Sequence, residues 1–124
     1  MTAHVVYESI DPQRPCTTSP KVIRDVIRGE IGFDGLLMSD DLSMKALDGP
    51  LSVRAKQALF AGCDLALHCN GDMDEMREVA SEVKELEGLS LRRSRQALAH
   101  LSVPGAFAAA AMEARLAELL GGTA

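Results

Sequence analysis

Three short apolar runs, at residues 1–6, 35–39 and 64–69, stand roughly 30 residues apart with helical patterns between them, and this rhythm constrains the fold more than any other feature. That spacing is what successive right-handed βα crossovers of a parallel sheet need. In the first helical pattern Thr18 or Ser19 can cap, Pro20 takes the first helical position, and Val22, Ile23, Val26 and Ile27 share one face before Gly29 and Gly32. The second covers residues 51–61, with Val53, Ala55, Ala58 and Leu59 as its apolar side and Gly62 as its stop. After the third run, Asn70 and Gly71 turn the chain into an acidic first helical turn of Asp72, Asp74 and Glu75. This helix is expected to continue through Met76, Val79 and Val83 to Leu86 and to end at Gly88. A further helix over 91–101, capped by Ser90, and an Ala-rich one after Pro104 complete the order.

The pattern predicts an α/β fold of order βαβαβα followed by helices. Parallel strands need cover on both faces, and three βα units supply well under half of an eight-unit barrel of ~250 residues. The 124 residues carry a net charge of −5 and 47% hydrophobic residues, enough for a globular core. The acidic balance gives no reason to expect nucleic acid or an anionic membrane as partner. The one basic knot, Arg92, Arg93 and Arg95, reads as a solvated helix face. Three cysteines, Cys16, Cys63 and Cys69, match neither a disulfide framework nor a zinc pair, which favours a reducing, cytoplasmic setting.

The chemistry concentrates where the second apolar run stops at two carboxylates, Asp40 and Asp41. Open α/β sheets and barrels place their sites at such C-terminal strand ends. Strand alternation puts Leu36, Met38 and Asp40 on one face and Leu37, Ser39 and Asp41 on the other, so the two carboxylates have different tasks. One can face a pocket while the other braces the turn; alternatively both merely open a loop and cap a helix near Leu42.

Residues 1–5 (MTAHV), 18–23 (TSPKVI), 31–44 (IGFDGLLMSDDLSM) and 61–71 (AGCDLALHCNG) occur in the order and spacing that resemble bacterial β-N-acetylhexosaminidases of glycoside hydrolase family 3. The resemblance covers roughly residues 1–85, and its most specific element is Ser39 to Met44. It implies a partial (β/α)8 TIM barrel: the last three βα units over residues 1–86, then C-terminal helices over 87–124. It also implies retaining hydrolysis of terminal N-acetylglucosamine from muropeptides or related glycosides in peptidoglycan recycling, with no metal or other cofactor. The residue after Ser39, Asp40, is by this resemblance the catalytic nucleophile. The family's Asp-His acid/base pair and its Lys-His sugar-binding motif are not among these residues. Met1 aligns with an internal methionine of the family's strand, so a C-terminal fragment of the catalytic barrel, inactive alone, is expected.

His4 ends a predicted strand and is a candidate sugar contact, against the alternative of a hydrogen-bonded core histidine. His68 and Asn70 can line the mouth or satisfy loop backbone, and Cys63 and Cys69 read as small hydrophobes at the ends of a buried strand. Two rival functions stand beside the glycosidase. One is a non-catalytic interaction module with a partial α/β sheet, self-associating through open sheet edges. The other is a receiver-like phosphotransfer domain, for which two strands and a terminal Lys are missing.

Overall fold

The computed structural model describes residues 1–103 and 105–121. Its element order is a 3₁₀ turn (Cys16–Thr18), a π-helix (Val22–Glu30), β1 (Met38–Asp41), α1 (Leu51–Ala61), β2 (Leu65–Leu67), α2 (Met73–Ala80), α3 (Gly88–Leu98) and α4 (Ala109–Leu119). Strands β1 and β2 pair in parallel, as expected of a βαβ unit, and the architecture is α/β.

The core lies on one side of this pair. Leu37 just ahead of β1, Ile23 from the π-helix, Leu51, Ala55, Ala58 and Ala61 from α1, and Val79 from α2 pack with Leu42, Leu47 and Cys63. Alanines at the centre of α1 let it approach closely, and Ala55 and Ala58 are fully buried. Ser19 caps the helix that follows, its Oγ accepting from Val22 N–H at 3.1 Å. At the far end of α1, Gly62 adopts φ +116°, while Gly62 N–H bonds Leu59 C=O and Cys63 N–H bonds Ala58 C=O. A Cβ at Gly62 would lie 2.9 Å from Ile23 Cγ2, so glycine is required here both by dihedral and by space. The start of α1 has no cap of its own. Glu78 of α2 reaches across and accepts from Ser52 N–H and Oγ–H, both at 3.0 Å.

Several expectations need correction. Residues 1–6 do not form a regular strand. Thr2 N–H bonds Met38 C=O as a parallel ladder requires, but Asp40 N–H goes to Thr2 Oγ1 instead of a backbone carbonyl, and the ladder stops. Beyond it, Cys16 N–H bonds Val5 C=O and Val6 bridges Pro15, so the segment turns back on itself. The second strand lies further on than residues 35–39, because Leu42 N–H still reaches Leu67 C=O and draws both aspartates into it. Helix α2 starts where expected, but with Asp72 as its cap, accepting from Asp74 and Glu75 N–H, and it ends at Ala80. Gly88 opens α3 instead of closing α2, and Ser90 donates to Asp64 instead of capping. Val53 is exposed.

Nor is Arg93 part of a solvated face. It is largely buried and pairs with Asp64 and Asp34, while its neighbour Arg92 also pairs with Asp34. Every described residue of α4 is exposed, so this helix covers none of the core; Pro104, expected to precede it, lies outside the described residues. Among the described residues, no helix is long and apolar enough to cross a membrane.

Candidate active site

Burial over residues 36–40, leading into and along β1, alternates as in a strand with one covered face. Leu37 and Ser39 are buried toward the helices, whereas Leu36, Met38 and Asp40 are half-buried on the other face. Asp40 therefore projects from the side that the helices leave open, at the C-terminal end of its strand.

Two hydroxyls aim it. Thr2 Oγ1 takes Asp40 N–H at 3.3 Å, and Ser39 Oγ takes Leu67 N–H at 2.9 Å. Each takes the place of a backbone carbonyl, and the β1–β2 register is irregular between Met38 and Asp41. Such irregularities re-aim side chains at strand ends. One carboxylate oxygen of Asp40 accepts from Asp41 N–H at 2.9 Å; among the described residues no cation pairs with this group.

Asp41 braces the turn, the second of the tasks that the sequence left open. Its Oδ1 accepts from Ser43 N–H at 3.0 Å and Cys69 N–H at 3.1 Å, and its Oδ2 from Ser43 Oγ–H. Burial by itself raises the Asp41 carboxyl, but these donors and nearby His68 outweigh it and hold the group below the ordinary aspartate value. The loop beyond is pinned by Arg54, whose guanidinium donates to Leu42 C=O at 2.8 Å and Met44 C=O at 3.1 Å.

His4 lies beside the backbone of Asp41. Its Nε2 is 2.9 Å from Asp41 C=O and its Nδ1 is 2.8 Å from Thr17 Oγ1, so both ring nitrogens are engaged within the chain. His68 does not enter the mouth. It sits on the helix side with its Nε2 2.7 Å from Glu75, which Asn70 also contacts, and its Nδ1 is buried with no partner among the described residues. Cys69 is exposed, a correction to its reading as a buried hydrophobe. Desolvation and the neighbouring charges of Asp41 and Asp40 push its thiol above the ordinary value. Among the described residues no three of His, Cys, Asp or Glu converge to hold a metal ion.

The model of the glycosyl hydrolase family 3 N-terminal domain matches residues 1–102 of this chain. The chain belongs to glycosyl hydrolase family 3. A β-hexosaminidase of Alkalilimnicola ehrlichii is 53% identical over 72 residues, which is 56% of this chain and 20% of that protein. One from Vibrio cholerae serotype O1 (strain M66-2) is 44% identical over 104 residues, 82% of this chain and 29% of that protein. Among solved structures, β-N-acetylhexosaminidase from Beutenbergia cavernae superposes with a TM-score of 0.56 at 27% identity, over 78% of this chain and 32% of that one. This family 3 chain thus spans less than a third of the length of these relatives. The family assignment sets aside the receiver-like reading.

Thr2, Thr17 and Arg54 are not marked by the sequence as parts of the site, and Ser39 is marked only as part of the motif around Asp40. Nothing in the pattern of a lone hydroxyl or arginine announces a partner tens of residues away.

Proposed function

We propose that the chain forms part of the catalytic (β/α)8 barrel of a β-N-acetylhexosaminidase, supplying its last three βα units and the nucleophile Asp40. The substrate is a terminal N-acetylglucosamine on a glycoside, muropeptides of peptidoglycan recycling included. The observation that carries this reading is the projection of Asp40 from the open face of β1 at the strand's C-terminal end. An ionised carboxylate there attacks the anomeric carbon as the leaving oxygen is protonated by a general acid, and water then hydrolyses the glycosyl ester with retention. Asp41 holds the turn, and His4 acts through backbone and hydroxyl contacts. No cofactor takes part in this chemistry.

The Asp-His acid/base pair and the Lys-His motif are not among these 124 residues, so the chain alone is expected to release no measurable product from an aryl N-acetylglucosaminide. The decisive experiment places residues 1–102 in the matching stretch of the Vibrio cholerae relative. That chimera should hydrolyse the glycoside, and Asp40→Ala should abolish turnover; undiminished turnover would remove Asp40 as nucleophile. Robust turnover by the isolated chain, lost in Asp40→Ala, would instead show that it holds a complete site.

The open face also supports self-association. Leu36, Met38, Leu65 and Leu67 are only half-buried, and Val5 and Val6 are exposed. The isolated chain should bind a hydrophobic dye and elute as dimers or larger species; a monomer with a sharp two-state melt would contradict this.

A further inference from the structure

The hydroxyls of Thr2 and Thr17 and the ring of His4 lie in a row between two backbone groups, Asp40 N–H and Asp41 C=O. The direction of the bonds in this row follows from the carbonyl at its Asp41 end. A backbone N–H only donates, so Thr2 Oγ1 accepts from Asp40 at 3.3 Å. Thr2 is buried and its own proton needs a partner; Thr17 Oγ1 lies 2.9 Å away. Thr17, fully buried, then passes its proton to His4 Nδ1 at 2.8 Å. At the other end a carbonyl only accepts, so His4 Nε2 carries the ring proton and donates it to Asp41 C=O at 2.9 Å. With the proton on Nε2 of a neutral ring, Nδ1 can only accept, so the Asp41 end sets the order of the row, and the Asp40 end is compatible with it because a hydroxyl oxygen accepts while it donates. Along the row each hydroxyl donates once and accepts at least once, and the two threonines at its centre are buried.

We infer that Thr2, Thr17 and His4 are positioning residues that clamp the backbone of Asp40 and Asp41 through this one-way relay and so set the direction of the Asp40 carboxylate. None of the three is required to touch the sugar. The inference deepens the reading of Asp40 as nucleophile and rests on it for its functional meaning, but the relay itself has readouts that need no turnover.

The test is nuclear magnetic resonance on the full chain with ¹⁵N-labelled histidine. In the unsubstituted chain His4 should carry its proton on Nε2, with Nδ1 as acceptor, and Asp40 should show a single side-chain rotamer. Thr17→Val keeps the shape but removes the donor: His4 should become a mixture of tautomers and Asp40 should average between rotamers. Thr17→Ser should restore both. Thr2→Val should speed exchange of the Asp40 amide about tenfold, the effect of losing one modest hydrogen bond. Should Thr17→Val fail to fold, the His4 tautomer of the unsubstituted chain still decides. Mainly Nδ1–H there overturns the relay, as does a folded Thr17→Val with unchanged Asp40 rotamer. Turnover that survives Asp40→Ala in the chimera would instead remove the nucleophile and leave these resonances where they are.

Discussion

The two ends of the short sheet both hold carboxylates, and they treat them in opposite ways. Where the strands begin, Asp64 has a side chain only 2% exposed, and it accepts from Leu37 N–H, Ser90 Oγ–H and the guanidiniums of Arg28 and Arg93. Where they finish, Asp40 is half-buried, one oxygen meets a single backbone N–H, and its position is set through its own main chain. A carboxylate saturated by donors is committed to the fold and has no lone pair left for chemistry. One that is aimed by its backbone keeps its oxygens available. This division, stability at the N-terminal side of the strands and reactivity at the C-terminal side, is the one that parallel α/β folds make in general.

The strongest way to break the comparison is to remove the charge at each end. Asp64→Asn should lower the unfolding free energy by about 3 to 5 kcal/mol, because Arg28 loses its carboxylate partner and Arg93 keeps only the exposed Asp34. Asp40→Asn should change it by no more than about 0.5 kcal/mol, the usual range for a half-exposed group with few partners. Equal losses in chemical denaturation would mean that Asp40 is a structural residue too. The same contrast extends to acid. Burial alone raises the Asp64 carboxyl, but Ser90, the Leu37 amide and Arg93 outweigh it and hold the folded group below the ordinary value. Its contribution is therefore complete above the ordinary aspartate range and is lost as the pH falls through the lowered value. In Asp64→Asn that part of the acid-dependent loss should be missing.

A smaller effect sharpens the mouth itself. Asp41→Ala removes three donors' acceptor at the turn, from Ser43 N–H, Ser43 Oγ–H and Cys69 N–H, and should cost about 1 to 3 kcal/mol. Exchange of the Ser43 and Cys69 amides should accelerate while that of Leu37, at the other end, does not. If both ends loosen together, the sheet responds as one unit and the division fails.

The smallest effect is chemical. Cys63 and Cys69 flank the same strand, but burial pushes the Cys63 thiol up to about 12, whereas Cys69 is exposed at the mouth. In the native chain a thiol reagent should label Cys69, and slowly, since its thiol is also raised. Cys63 should react only on unfolding. Native labelling of Cys63 would show that the clamped end opens.

Local punctuation was legible in the residues alone. The Pro20 start with its Ser19 cap and the span of α1 with its Gly62 stop depend on neighbours within one helical turn and stand as read; Asp72, expected inside the first turn of α2, is instead its cap. The alternation of Leu36, Met38 and Asp40 against Leu37 and Ser39 is equally local, since a strand has a period of two. The end of α2 and the start of α3 were misplaced because Ser90 and Gly88 look like a cap and a stop whatever lies across from them. Asp64, 26 residues away, claims the Ser90 hydroxyl instead.

By itself, then, the sequence determined the α/β class, the Ser19 cap and the Gly62 stop, the family and the alternation that puts Asp40 on the face of Met38. Only the tertiary structure decided what holds Asp40 there. Thr2 and Thr17 come from segments 38 and 24 residues from Asp41's neighbour and from Asp41 itself. Their hydroxyls acquire a direction only when the backbone groups at both ends of the row are in place. The irregular first strand has the same origin, because Thr2 spends its side chain, and not its carbonyl, on Asp40. Hydrogen bonds between distant segments depend on ångström-scale placement, and residue identity along the chain carries no record of that.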